Sequence, residues 1–307
     1  MITAFYDPGY EAPIGDHVMP MRKFALLAGA LAAEPRVHLV APEPLREEDL
    51  LLVHTAEYVR AVRTGEPRAL AESQKFPWSP ALYPSVLLTG GGCLAAARDA
   101  LDERVAAALV SGFHHAHADH GEGFCTFNSL VVTIDRLRAE RKVDRVAIVD
   151  LDLHYGNGTA SLAATRPYLF NLSIYGNDYA ENRPYRDVEI RRHADGPNHQ
   201  SIALPNGCDR AGLLAAMTDG FERLRAWGRA DLVLYQAGAD PYREDPYSPL
   251  ALDAADLRER DRRVFEWARE ESLPIAWVLA GGYTPDVSRV VEVHHNTFRA
   301  ALDVYAA

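Results

Sequence analysis

The sequence predicts an α/β fold, with one domain built on a central, mostly parallel β-sheet of about eight strands and helices on both faces. Three observations predict it. Short β-branched apolar runs alternate with longer helical stretches along the chain. No internal repeat, low-complexity linker or change of composition divides the 307 residues, a length that suits one large α/β domain or two small ones. The apolar share is 48% and the charged share 24%, as in globular chains rather than disordered or fibrous ones. A single domain over residues 1–307 is expected.

The elements follow in order. Residues 2–6 and 37–40 read as strands, with a helical stretch at 21–33 between them. A helix at 84–101 leads into a strand at 104–110, and a helix at 128–141 into a strand at 145–149. Residues 168–172 form the next strand. Residues 176–205 differ: they are rich in Asn, Asp, Tyr, Arg and Pro and show little periodicity. A long irregular segment of this kind reads as a functional loop. Helices at 211–227 and 254–271 lead into strands at 232–235 and 275–279, and a helix at 287–305 closes the chain.

Charge and composition narrow the function. With 32 basic against 43 acidic residues the net charge is -11, which argues against broad binding to a phosphate backbone. The longest apolar run, residues 24–33, is well short of the ~20 residues of a membrane span. The opening MITAFYDPGY lacks a basic stretch followed by an apolar core, so a cytoplasmic protein is expected, monomeric by default. Cys93, Cys125 and Cys208 have no C-x-x-C spacing and imply neither a disulfide framework nor a thiolate zinc site.

The chemistry collects where strands end, the place where open parallel sheets bind ligands. One strand runs into Ser111-Gly112-Phe113-His114-His115 and another into Asp150-Leu151-Asp152-Leu153-His154-Tyr155-Gly156-Asn157. A third runs into Gly238-Ala239-Asp240 and a fourth into Gly281-Gly282-Tyr283. Asp150, Asp152 and His154 stand at period two, so an extended backbone would point all three the same way. Asp152 and His154, completed by Asp240, would give two carboxylates and one imidazole, a set that suits Zn²⁺ or Fe²⁺ with an open position. Taken alone, D-x-D-x-H also suits the cap of a following helix; four such segments on one sheet edge favour a site. Two adjacent histidines opposite a metal are natural acid and base groups. Each would need a partner on its other nitrogen, and Asp150 and Asn157 are available. His117 and His120 read as solvated loop residues. The glycines before Tyr283 would let its hydroxyl approach the metal, where it could hold an oxyanion.

These segments resemble the histone deacetylase superfamily, the zinc-dependent arginase/deacetylase fold. His114-His115 followed by Gly121-Glu122-Gly123-Phe124-Cys125-Thr126-Phe127-Asn128 looks like its histidine dyad and G-F-C-x-x-N motif. The Asp150–Gly158 run looks like its metal motif, Gly238-Ala239-Asp240 like its third ligand, and Gly281-Gly282-Tyr283 like its catalytic tyrosine. Weaker similarity at Asp16-His17-Val18-Met19-Pro20 and His54-Thr55-x-x-Tyr58 extends it over nearly the whole chain. The short length and the Ile174-Tyr175…Ile190-Arg191-Arg192 run look closest to the compact class IV type and its bacterial relatives.

The resemblance implies Zn²⁺ on Asp152, His154 and Asp240. It implies His115 as the main base and acid, held by Asn157, and His114 as an electrostatic partner, held by Asp150. Tyr283 would be the oxyanion donor. Gly123 and Phe124 would line an acyl-lysine tunnel, with Tyr179 on the opposite wall. A structural potassium ion would fall at Asp150, Asp152, His154, Ser173 and Ile174. The implied activity is hydrolysis of an N-acyl amine, either an acyl-lysine side chain or a small acylated amine such as an acetylpolyamine. Alternatives are a binuclear ureohydrolase and a non-catalytic sensor of acyl ligands. Several positions depart from the family pattern. Tyr155 stands where many members carry a second His, and Asn157 where class I enzymes carry Asp, so His115 should be less basic. Ser129 replaces a common Asp, and no equivalent of the acidic rim residue that grips the substrate backbone is recognisable.

Overall fold

The structure, a computed structural model, describes residues 1–177 and 195–306. Eight strands form one sheet in the order β2-β1-β3-β8-β7-β4-β5-β6. They are β1 (Ile2–Phe5), β2 (Val37–Val40), β3 (Val105–Ser111), β4 (Val146–Asp150), β5 (Leu169–Tyr175), β6 (His199–Ala203), β7 (Leu232–Gln236) and β8 (Ile275–Leu279). Every pairing is parallel. Among the described residues the helices are α1 (Lys23–Leu31), α2 (Glu47–Leu50), α3 (Ala56–Thr64), α4 (Arg68–Ala71), α5 (Leu82–Glu103), α6 (Ser129–Ala139), α7 (Asn157–Ala163), α8 (Arg210–Trp227), α9 (Ala254–Glu270) and α10 (Val287–Tyr305).

Strands β3, β4, β5, β7 and β8 are buried along their whole length, which is why they read as continuous apolar runs rather than alternating ones. Helices α5 and α1 both pack on β3, α8 packs on β5, and α9 packs on α10. Helix α5 passes so close to the loop before α2 that a Cβ at Gly91 would lie 2.0 Å from the Glu43 carbonyl oxygen. A hydrogen bond from Leu45 N to Leu87 O fixes that approach.

Two expectations are corrected. The irregular stretch 176–205 contains β6, a polar edge strand whose His199-Gln200-Ser201 start carries none of the β-branched signal of a central strand. The extended run through Asp150, Asp152 and His154 stops at Asp150. Asp152 and His154 stand on the bend that follows, which a parallel bridge from His154 to Asn177 holds in place. Helix α7, short and polar in its first turn, also lacked an apolar signal. The strands that carry the chemistry, β3, β8, β7 and β4, are neighbours in the sheet, so their carboxyl ends form one continuous edge.

Candidate active site

The bend after β4 and the loop after β7 bring Asp152, His154 and Asp240 together, with one donor atom from each within 4.8 Å of the others. His154 Nδ1 lies 3.2 Å from Asp152 Oδ1 and 3.1 Å from Asp240 Oδ2, and all three side chains are buried. Backbone amides hold the outer carboxylate oxygens: Gly281 N donates to Asp152 Oδ2 at 2.8 Å, and Leu153 N to Asp240 Oδ1 at 3.0 Å. The residue at 281 must be glycine, because a Cβ there would lie 1.8 Å from Asp240 Oδ2. Burial works against the charge on Asp152, but His114 and His154 hold its carboxyl well below the usual range. Burial and the neighbouring Asp152 push Asp240 up. Burial alone would lower His154, yet Asp152 and Asp240 raise it to about 10. Two buried carboxylates facing one imidazole are short of positive charge. The donor set therefore fits a divalent cation that takes one nitrogen and two oxygens.

The turn after β3 sets His114 and His115 beside this trio, their ring centroids 4.0 Å apart. His114 Nδ1 lies 2.8 Å from Asp150 Oδ2, and His115 Nδ1 lies 2.7 Å from Asn157 Oδ1. Burial would lower His114, but Asp150 and Asp152 raise it. Burial, together with His114 and His154, holds His115 well below the usual imidazole range. The two histidines are thus split: His114 favours its proton and His115 favours neutrality.

Tyr283 follows β8. Its ring centroid lies 6.0 Å from that of His154 and 6.2 Å from that of Phe124. Burial, then the nearby Asp240 and Asp152, push its phenol well above the ordinary value, so it keeps its proton. Phe124 sits in the left-handed region at φ 64°, pinned by a hydrogen bond from its amide to Gln74 O at 2.9 Å. Its ring stacks on Phe76 at 5.7 Å and meets the edge of His17 at 4.7 Å. Gly123, also at positive φ, makes the preceding turn. A cavity of 760 Å³ opens beside Tyr283, lined by residues 12–22, Tyr247 and Pro285 among others. Tyr179 lies outside the described residues, as do residues 190–192. Ser173, opposite Asp150 in the β4–β5 register, is buried, and its Oγ has no hydrogen-bond partner among the described residues; Ile174 follows it on β5.

Several residues at the site carried no signal in the sequence. Asp245 accepts from the amides of Tyr283 (2.7 Å) and Tyr247 (3.1 Å), and burial together with Asp240 raises it to about 7. Arg260 of α9 is buried and donates to Leu151 O at 3.2 Å and Gly238 O at 2.8 Å, joining the two ligand loops. The buried Lys23 ammonium donates to Ala280 O, below the turn that leads to Tyr283. His117 is half-buried, the His120 side chain is 44% exposed, and Glu122 accepts from Asn157 Nδ2. Asp245, Arg260 and Lys23 are polar and remote in sequence from the groups they meet, so neither periodicity nor a short motif marks them.

A fully parallel sheet with a buried Asp/His/Asp trio and a histidine pair at its carboxyl edge defines a class of α/β protein with a metal-ready polar site. Residues 17–298 match the histone deacetylase domain, and the chain belongs to that family. It is 31% identical to an uncharacterized protein of Picosynechococcus sp., over 98% of both chains. It is 30% identical to Histone deacetylase 2 of Arabidopsis thaliana, over 82% of this chain and 65% of that one. A shorter match, 31% identical over 55% of this chain and 48% of the other, is to Acetylpolyamine amidohydrolase 2 of Pseudomonas aeruginosa. The fold matches the HD domain of HDA15, with a TM-score of 0.79 at 20% identity, covering 99% of this chain and 95% of that one. It also matches an acetylpolyamine aminohydrolase from Burkholderia pseudomallei, with a TM-score of 0.79 at 21% identity, covering 99% of each chain. Membership makes the chain a deacetylase-family hydrolase, of a family that is typically metal-dependent.

Proposed function

We propose that the protein hydrolyses an N-acyl amine, an acylated lysine side chain or a small acylated amine, to the free amine and a carboxylate, with residues 1–307 acting as one catalytic domain. The observation that carries this reading is the buried Asp152–His154–Asp240 trio with His114, His115 and Tyr283 around it. Relatives named for deacetylation and for acetylpolyamine hydrolysis support the substrate class.

Asp152, His154 and Asp240 would hold Zn²⁺, and the same donors accept Fe²⁺. When bound, the metal polarises the acyl carbonyl and makes the attacking water more acidic. His115 donates its Nδ1 proton to Asn157, which leaves Nε2 as the acceptor for the proton of that water. Burial keeps this imidazole neutral and ready. His114, which Asp150 and Asp152 raise against the effect of burial, steadies the negative charge that develops. The Tyr283 hydroxyl donates to the substrate oxygen as it becomes an oxyanion. His115 then returns its proton to the amine nitrogen as the C–N bond breaks. Gly123 and Phe124, backed by Phe76 and His17, form one wall for the uncharged acylated chain. Asp150, Asp152 and His154, with the Ser173 hydroxyl and Ile174, would hold a structural potassium ion, a role supported by the unpartnered Ser173 Oγ.

The test is amine release from an acetyl-lysine peptide, a long-chain acyl-lysine peptide and an acetylpolyamine, run with Asp240→Ala beside the parent chain. Release from one substrate, lost in the variant, is expected. Tight binding of all three without release would favour a sensor of acyl ligands instead.

A further inference from the structure

We infer that His117, His120 and Glu122 form a second divalent-metal site, separate from the Asp152–His154–Asp240 trio. One donor atom from each lies within 4.8 Å of the others. Hydrogen bonds around the two rings fix which nitrogen of each is available. Ser161 Oγ donates to Gly158 O at 2.7 Å, so toward His117 Nδ1, at 2.9 Å, it can only accept. His117 therefore carries its proton on Nδ1 and a lone pair on Nε2, where Asn157 Nδ2 donates at 3.3 Å and would give way to an ion. Asp119 Oδ1 lies 2.7 Å from His120 Nδ1, and a carboxylate only accepts. His120 likewise keeps its lone pair on Nε2. An outer acceptor that fixes the tautomer is the arrangement metal-binding histidines use.

The two rings lie side by side, with centroids 4.5 Å apart and planes 9° from parallel. An amide from His117 to His120 O at 2.9 Å closes the turn that carries both. Glu122 Oε2 stands 3.4 Å from His117 Nε2. The His120 side chain is 44% exposed, free to swing its edge onto an ion. Two imidazoles and one carboxylate suit Zn²⁺ or Co²⁺ rather than the all-oxygen sites of Ca²⁺ and Mg²⁺, and leave a fourth position for water. The site is not isolated from the first. Glu122 accepts from Asn157, and Asn157 in turn meets His115, so an ion here would stand two side chains from the dyad.

The test is titration of the metal-free chain with Zn²⁺ against a chromophoric chelator, repeated with Co²⁺ and read by its absorption spectrum. Two equivalents are expected for the parent chain. Asp240→Ala should keep the second equivalent, and His120→Gln should weaken it by at least ~10-fold while the first persists. Asp119→Asn, on a side chain 71% exposed, should weaken it without disturbing the fold, a control read by circular dichroism. A parent chain that binds one equivalent, or a second equivalent unmoved by both His120→Gln and Asp119→Asn, would overturn the assignment. None of these readouts needs a substrate, so the result is independent of the proposed hydrolysis.

Discussion

Tyr283 leaves β8 through two glycines and is held by its own amide on Asp245, so its hydroxyl is placed by backbone rather than by packing alone. In the proposed mechanism, removing that hydroxyl costs little shape and one hydrogen bond to the developing oxyanion. Tyr283→Phe should lower kcat by roughly 10²–10³ and leave KM nearly unchanged, measured by steady-state amine release. Unchanged turnover would remove Tyr283 from the chemistry. A different residue governs acid stability. His54 is buried, its Nδ1 on His117 O and its Nε2 on the Asn128 amide, and burial lowers it to about 4. Because the folded chain keeps this imidazole neutral, its contribution is fully present above about pH 6.5 and is lost as the pH falls toward 4. The wild type should therefore lose roughly 3 kcal/mol more than His54→Gln over that interval, measured by urea unfolding at each pH. Parallel losses in the two proteins would contradict this.

At the scale of elements, helix α9 does more than cover the sheet. Arg260 reaches from it to the carbonyls of Leu151 and Gly238, each next to or near a ligand of the trio, and pairs with Asp261. Asp261 also accepts from Tyr235 and Thr297. Arg260→Met would leave the buried Asp261 carboxylate without its cation and should cost about 3–5 kcal/mol of stability. Chemical denaturation checks it, and a loss under ~1 kcal/mol would show that the clamp is dispensable. The same element shows where reading the chain stops. Strands β3, β4, β7 and β8 were legible because burial on both faces demands unbroken apolar runs, and the residues at their ends follow within a few positions. Arg260 was not legible, because its partners lie 22 and 109 residues away and nothing local marks the contact. Edge strand β6 was missed for the opposite reason: half solvated, it needs no apolar run. The convergence of Asp152 and His154 was foreseen, but its cause is a bend after β4 rather than strand alternation.

For the whole molecule, sheet order decides which groups meet at the candidate site. Neighbours β3, β8, β7 and β4 bring His114 and His115, Tyr283, Asp240, and Asp152 and His154 from four distant stretches to one carboxyl edge. The net charge is -11, and no helix among the described residues is long and apolar enough to cross a membrane. In the proposed function the buried trio carries hydrolysis. Its most direct test is amine release by chain stripped of metal, with Zn²⁺ returned stepwise, for the parent and Asp240→Ala together. No release is expected before zinc, full release once the trio is loaded, and none at any zinc level in the variant. Hydrolysis that survives chelation, or that Asp240→Ala leaves intact, would contradict it.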